Sequence, residues 1–473
     1  MRATGLLKSK LSTHYEWLSV GIIWFTVQGL SLTYPSVKFW DDYLYYADDT
    51  VSLAKNLVPN PGRSQVEAFL LSISPGSFRV LSFFLMPICA LLYFRILGRI
   101  NGIVAKDEQR LVAITFLLYF PWALSTMVSL TLFNYVLALT GFLLGWNAVI
   151  SANWILRWLV APLLFLFSFR LPSLIVFSAF PLTHSIWIAK GARRRLAERG
   201  ILALVVAIAG FGYFPVLEFF GFKFKTGYNE VLPSRLAKGL LLLLFVVISS
   251  ANLVFRCRKA SRQETKIPIN VYLFVILALL MFGVAAFPYL ITGHLTDSTS
   301  FLLPLVPGAG GYSGRHLLLF AFPFSVMTAA ATGLIKVPYS KMFSQFVIAT
   351  LTLLGVSNSI AWRVDAVKQQ SVIQAISQVD KLTDSRFVFV DDQISSLNAM
   401  GRDTRSYERE GWVKLAGGDS TVRHLYPATS ECRIPISGKT IQLTSSNQSR
   451  ILALIRGQID IDVSVRDITL CRD

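Results

Sequence analysis

The sequence predicts an α-helical polytopic membrane protein of about eleven transmembrane helices, counted at roughly 20 apolar residues per span, followed by a small C-terminal α/β or mostly β domain. Three observations predict it. Of 473 residues, 53% are hydrophobic and only 15% charged, and the mean hydropathy is +0.54; a soluble protein of this length does not need so much apolar sequence. Long apolar runs recur as far as residue 361 and stop at Arg363. The chain thus divides into a membrane region, 1–361, and a soluble domain, 362–473, which is long enough for its own core. Finally, the net charge of +18 is uneven: residues 362–473 hold 15 Lys/Arg and 14 Asp/Glu, and the membrane region holds the other 30 and 13. Its basic residues cluster in short loops between spans, which is a topology signal and not the footprint of a nucleic-acid binder.

The expected spans are 17–34, 77–96, 111–127, 131–149, 155–169, 173–189, 201–220, 239–255, 270–291, 316–335 and 343–361. Basic clusters fall at every second gap: Arg2/Lys8/Lys10, Arg95/Arg99/Lys106/Arg110, Lys190/Arg193/Arg194/Arg195/Arg199, Arg256/Arg258/Lys259/Arg262/Lys266 and Lys336/Lys341. By the positive-inside rule these gaps and the N-terminus are cytoplasmic, and the C-terminal domain is periplasmic. The tight turns at Pro162 and Pro172 leave the span count within 111–189 open. The first apolar run is too long for a cleavable signal and has no small-residue cleavage site, so it is expected to remain as a span.

The first outside loop, 36–76, carries the most informative residues. Lys38-Phe39-Trp40-Asp41-Asp42-Tyr43 follows directly on the first span. Ionised carboxylates so close to hydrocarbon are costly unless they have work to do there, and a fixed carboxylate can act as general base on a hydroxyl. Asp48 and Asp49 follow one to two turns on, and Tyr43 to Leu57 reads as a short interfacial helix with tyrosines at headgroup depth. Asp48, Asp49, Tyr43 and Glu218, which lies near the outer end of its span, are candidate walls of the same site.

The loop 293–315 ends in Gly310-Gly311-Tyr312-Ser313-Gly314-Arg315-His316 as the next span starts. A guanidinium at that level can grip a phosphate with two parallel hydrogen bonds. Arg315, His316 and Arg79 are therefore the candidate phosphate ligands. Asn134, Asn147, His184 and Glu218 are the polar residues that stand out within spans, fewer than a proton relay or transporter needs. Zinc-ligand, Walker and G-x-S-x-G patterns are absent from the sequence.

In the C-terminal domain, Arg386-Phe387-Val388-Phe389-Val390-Asp391-Asp392 reads as a buried strand ending in two acids, a turn or a site edge. Further strands are expected at Thr440 to Thr444, Ile451 to Ile455 and Ile459 to Val465. Cys432 and Cys471 are the only cysteines in this domain, and an oxidising compartment would allow them to pair.

An acid pair in the first outside loop, a long series of spans, an arginine before a late span and an outside C-terminal domain together resemble the GT-C superfamily of integral-membrane glycosyltransferases. The layout is especially similar to bacterial O-antigen-modifying, serotype-converting glucosyltransferases of the inner membrane. The shared motif is Asp41-Asp42. The resemblance implies that Asp41 or Asp42 is the catalytic base and that the donor is a polyprenyl-phosphate-linked sugar. It also implies a polysaccharide or lipid-linked glycan of the lipopolysaccharide as acceptor, and Arg315 near the donor phosphate. A phosphate leaving group needs no cofactor, although a divalent cation is compatible with paired acids. Membrane lipid is an expected partner and nucleic acid is not. Three other readings stay open: an O-antigen or capsule polymerase or ligase, a lipid-linked sugar flippase or transporter, and a non-catalytic assembly subunit.

Overall fold

The computed structural model describes residues 15, 18–39, 43, 69, 73–74, 76–99, 107–119, 128–169, 171, 173–178, 180–181, 184, 233–262, 269–292, 318–335, 339–379, 386–399, 402–417, 422–429 and 432–472. The described chain is mostly helical, with one small sheet near the C-terminus. The first apolar run forms α1, Leu18–Thr33, which closes in a 3-10 turn over Gly29–Thr33. Then come α2 (Ser77–Gly98), α3 (Asp107–Tyr119) and α4 (Leu130–Val149). They are followed by α5 (Leu156–Ser168), which opens in a π-helical turn, and the short α6 (Ser173–Phe177). The helical region ends with α7 (Pro233–Arg262), α8 (Ile269–Thr292), α9 (Ala321–Leu334) and α10 (Tyr339–Ser377).

Among the described residues, three helices are long and apolar enough to cross a membrane: α2, α10 and the Leu132–Val149 stretch of α4. The other apolar helical stretches among the described residues, including Ala237–Ser250 of α7 and Val275–Phe287 of α8, run 10–17 residues. The expected span 201–220 lies outside the described residues, and of 173–189 the described part is chiefly α6. Of the expected span 111–127, the described part, 111–119, lies in α3, and 120–127 lie outside the described residues.

The helices pack around one apolar core. Neighbours α2 and α4, α3 and α9, α4 and α5, α7 and α8, and α8 and α9 lie side by side, and α10 runs along α3. One contact shows how the bundle tolerates a helix breaker. Pro87 lies inside α2 and has no N–H to give the carbonyl of Phe83, one turn back. The indole Nε1–H of buried Trp24 on α1 donates to that carbonyl at 2.8 Å, so a side chain replaces the missing backbone donor.

The boundary between the helical region and the C-terminal domain falls within a helix. The apolar sequence ends at 361, but α10 continues unbroken to Ser377. Val364, Val367, Val372 and Ile376 on this extension are buried in the core of the C-terminal domain. The domain is therefore built onto the end of a membrane-length helix and is not hung from a linker.

Its sheet has five strands: β1 (Phe387–Asp392), β2 (Arg423–His424), β3 (Tyr426–Pro427), β4 (Ile434–Thr444) and β5 (Asp462–Arg472). Their order is β2-β1-β4-β5-β3. β1 lies parallel to both neighbours, and β4 and β5 form a long antiparallel pair. Two helices complete the unit, α11 (Ser406–Leu415) and α12 (Arg450–Arg456), both packed on α10. The expected strand at Ile451 to Ile455 is thus a helix. Ser449 accepts from the Leu452 N–H at its start, and Gly457 ends it at φ 68°; an N-cap serine and a left-handed glycine outweigh the β-branched residues between them. Cys432 and Cys471 are joined by a disulfide across 39 residues of chain.

The Trp24–Phe83 bond should be coupled to Pro87. Trp24→Phe leaves the buried Phe83 carbonyl without its donor and is expected to cost about 1–3 kcal/mol. In a Pro87→Ala background, which restores the helical N–H, the same change should cost clearly less; a double-mutant cycle on detergent-solubilised protein measures the difference.

Candidate functional site

The segment that leaves α1 is fastened at three successive points. The first is Arg79, in the opening turn of α2 and fully buried. Its Nη1 donates to the carbonyls of Tyr34 and Pro35, the latter at 2.8 Å. Its Nη2 donates to Val37 O at 2.8 Å and to Val128 O, just ahead of α4, at 2.7 Å. The rings of Tyr34, Phe39 and Phe78 surround the guanidinium. Irregular backbone in an apolar setting leaves carbonyls that need donors, and one arginine serves four. Arg79 was expected as a phosphate ligand. The structure commits these guanidinium donors to backbone carbonyls, so the residue acts as a staple.

The second point is Phe39, fully buried edge-to-face on Trp362 of α10 at 5.1 Å between centroids. Arg402 lies 5.7 Å above its ring. Tyr34, Val37, Phe39, Val128, Trp362 and Ala399 form one cluster, joining the segment that leaves α1, the start of α4, α10 and the C-terminal domain.

The third is Tyr43. It was expected at headgroup depth, as a site wall. The structure instead buries it in the core of the C-terminal domain, between α10 and α11. Its hydroxyl donates to Gln369 Oε1 and accepts from the Trp412 indole N–H at 3.1 Å. Burial pushes its pKa well above the usual phenol value. Gly411 makes room for the ring: a Cβ there would stand 2.1 Å from Tyr43 Cδ1.

Beneath these anchors lies a network of buried ions that the sequence reading did not single out. Asp365, on α10 just beyond the apolar run, takes two hydrogen bonds from Arg402, Nε to Oδ2 at 2.7 Å and Nη2 to Oδ1 at 3.1 Å. It also accepts from Ala399 N–H at 2.8 Å and Gln369 Nε2 at 3.0 Å. Arg402 Nη1 grips both oxygens of Glu408 at 2.7 and 2.9 Å, and Glu408 also receives the Arg405 N–H near the start of α11. One helical turn from Asp365, Lys368 donates to both oxygens of Asp392 at 2.8 and 2.6 Å and to Asn398 Oδ1 at 2.6 Å. Thr404 Oγ1 donates to Asp392 Oδ2 at 3.0 Å. The Asp391-Asp392 strand end therefore divides: Asp392 is a buried ion-pair partner, and Asp391 is held by the Gln393 side chain.

Electrostatics follow from burial. Burial alone would raise the Asp365 carboxyl, but the Arg402 guanidinium and Lys368 hold it below its ordinary value. Arg402 is desolvated too, yet the two carboxylates lift its pKa further, so it stays charged. Burial pulls Lys368 below the usual lysine value despite Asp392 beside it. Three carboxylates face two cations in this network, all with partners. Its chemistry is cohesive: it locks α10, β1, α11 and the segment that leaves α1 together.

The expected catalytic and phosphate-binding residues Asp41, Asp42, Arg315 and His316 lie outside the described residues, as do Asp48, Asp49 and Glu218. The polar residues expected within spans serve the bundle: Asn147 donates to Leu92 O and Leu143 O, and His184 accepts from Trp146. Among the described residues, no group of three or more His, Cys, Asp and Glu is arranged to hold a metal ion. In the sequence, Asp365-x-x-Lys368-Gln369 directly after the last apolar run was the signal for the buried network; its partners at 392, 402 and 408 carry no local signature.

Two changes test the junction. Arg402→Met leaves Asp365 and Glu408 buried without their counter-ion and is expected to destabilise the protein by about 3–5 kcal/mol. Gly411→Ala should cost about 1–3 kcal/mol through overpacking, and Tyr43→Ala should relieve that clash, so the pair is non-additive in thermal melts.

No model of a known protein family matches the chain, and no curated protein sequence matches it.

Proposed function

We propose that this chain is a polytopic inner-membrane glycosyltransferase of about eleven spans, with a cytoplasmic N-terminus and a periplasmic C-terminal domain. It moves a sugar from a polyprenyl-phosphate donor to a polysaccharide or lipid-linked glycan at the outer face. One observation carries the reading. Phe39 and Tyr43, which flank Trp40-Asp41-Asp42 in the sequence, are both buried anchors. The chain is thus fixed on either side of the acid pair in the sequence, and pre-paid orientation is a large share of catalytic advantage. The Cys432–Cys471 disulfide supports an oxidising compartment for the C-terminal domain.

In this reading, Asp41 or Asp42 takes the proton of an acceptor hydroxyl as its oxygen attacks the anomeric carbon. The bond from that carbon to the phosphate oxygen breaks, and the lipid phosphate departs with the electron pair. A single displacement inverts the anomeric centre. The phosphate leaves as an anion, so a general acid is not required. Arg315 and His316 would stabilise the charge that develops on it. Arg79 is not part of this assignment, because its guanidinium is committed to the backbone.

Membranes carrying the protein, a polyprenyl-phosphate hexose and an acceptor glycan provide the test, read out as released polyprenyl phosphate. Asp→Asn at the catalytic position is expected to lower turnover by about 10²–10⁴-fold, the usual share of a general base, and at its neighbour by less. Wild-type turnover in both Asp41→Asn and Asp42→Asn sinks the proposal.

A further inference from the structure

Two large apolar side chains of the C-terminal domain face away from its core. Ile451 is 71% exposed and Ile455 73%. They stand four residues apart, on one side of α12, while Ala453 and Leu454 turn the other side into the domain core. Leu353 on the apolar stretch of α10 is 70% exposed, so the two isoleucines are as bare as a side chain expected to face lipid. Two such residues on one short helix need a cover.

The position of α12 says which. The helix ends at Gly457, and a Cβ placed there would meet Arg363 Nη2 at 3.9 Å. Arg363 is the first charged residue beyond the apolar run of α10. Its guanidinium approaches Thr33 O, the last residue of α1, at 3.5 Å and stands over the Tyr34 ring. Just past α12, Ile459 N–H donates to Ser371 Oγ on α10 at 2.9 Å. The helix is thus pinned beside α10 at the level where α1 and α10 leave their apolar sequence. Arginines border it at both ends. Arg450 donates to Ser396 O and Asn398 O, whereas Arg456 is largely exposed, 3.9 Å from Asp460, itself also exposed.

We propose that α12 is an interfacial membrane contact: Ile451 and Ile455 enter the boundary between headgroups and acyl chains of the outer leaflet, and Arg456 and Arg363 meet lipid phosphates. Apolar side chains on one face with cations beside them suit that boundary. The contact fixes the height of the C-terminal domain above the bilayer, and so the height of Tyr43 and the segment it anchors. The inference rests on the membrane reading given above.

The test uses full-length protein in lipid nanodiscs containing anionic phosphatidylglycerol, with Cys89→Ala and Cys257→Ala and the disulfide intact. Single cysteines at Ile451, Ile455, Leu353 and Asp460 carry a nitroxide, and its relaxation by oxygen, which partitions into lipid, is compared with that by a water-soluble nickel chelate. Labels at 451 and 455 are expected to show an oxygen-to-nickel ratio several-fold above that at 460 and approaching that at 353. A water-like ratio at 451 and 455 with a lipid-like one at 353 overturns the inference alone. A water-like ratio at 353 overturns the membrane reading with it. Labels at 451 and 455 shielded from both reagents point to a protein cover and also overturn the inference.

Discussion

A buried polar group must be given a partner, and at the exit of the first helix that constraint falls on Arg79. The chain from Tyr34 to Val37 turns through an apolar setting without a strand or helix to satisfy its carbonyls. The guanidinium satisfies three of them and a fourth at Val128, ahead of α4. The positions of Phe39 and Tyr43 follow from that fastening. An uncompensated arginine at the same place would be among the most costly features of the fold; its partners convert it into a staple between the exit of α1 and the start of α4.

The same constraint explains the rest of the junction. Trp24 supplies the N–H that Pro87 lacks. Asp365, Arg402 and Glu408 form one chain of charge, and Lys368 with Asp392 and Asn398 forms another, a turn away. Such pairs add little net stability over apolar residues of the same size, but each is severe to break. They specify one arrangement of α10 against β1 and α11. A mispositioned domain would leave charges without partners, so the domain docks in a single way. Tyr43 then closes the junction from the segment that leaves α1, with its hydroxyl on Gln369, which the network already holds, and on Trp412 of α11.

This arrangement bears on function through geometry. In the sequence, the acid pair proposed as the general base is bracketed by Phe39, in the cluster that joins α10 to the start of α4, and Tyr43, in the core of the C-terminal domain. In that view the domain is a support for the segment that leaves α1, and it is joined to the helical region by the continuous helix α10. A lipid contact through α12 would extend the same logic to the bilayer, setting the height at which the segment works.

What the sequence alone determined is set by local, periodic signals. Apolar runs, basic clusters and the composition change near residue 361 are readable without contacts, and they predicted a mostly helical chain with a small C-terminal sheet. The apolar run at 386–392 and the alternation at 459–465 announced strands, which the structure sets at 387–392 and 462–472. Helix α12 did not, although Ser449 and Gly457 were its signals, because its isoleucines imitate a strand when caps are not weighed. Only the tertiary structure decided the rest. Arg79 looked like a ligand for phosphate because its charge is local while its four carbonyl partners come from two distant segments. Tyr43 looked interfacial because its notch at Gly411 lies 368 residues away. The buried ions were invisible because Asp365 and Lys368 find Arg402, Glu408 and Asp392 only when α10 meets the sheet. Burial makes a charge costly or useful, and burial belongs to the folded chain as a whole.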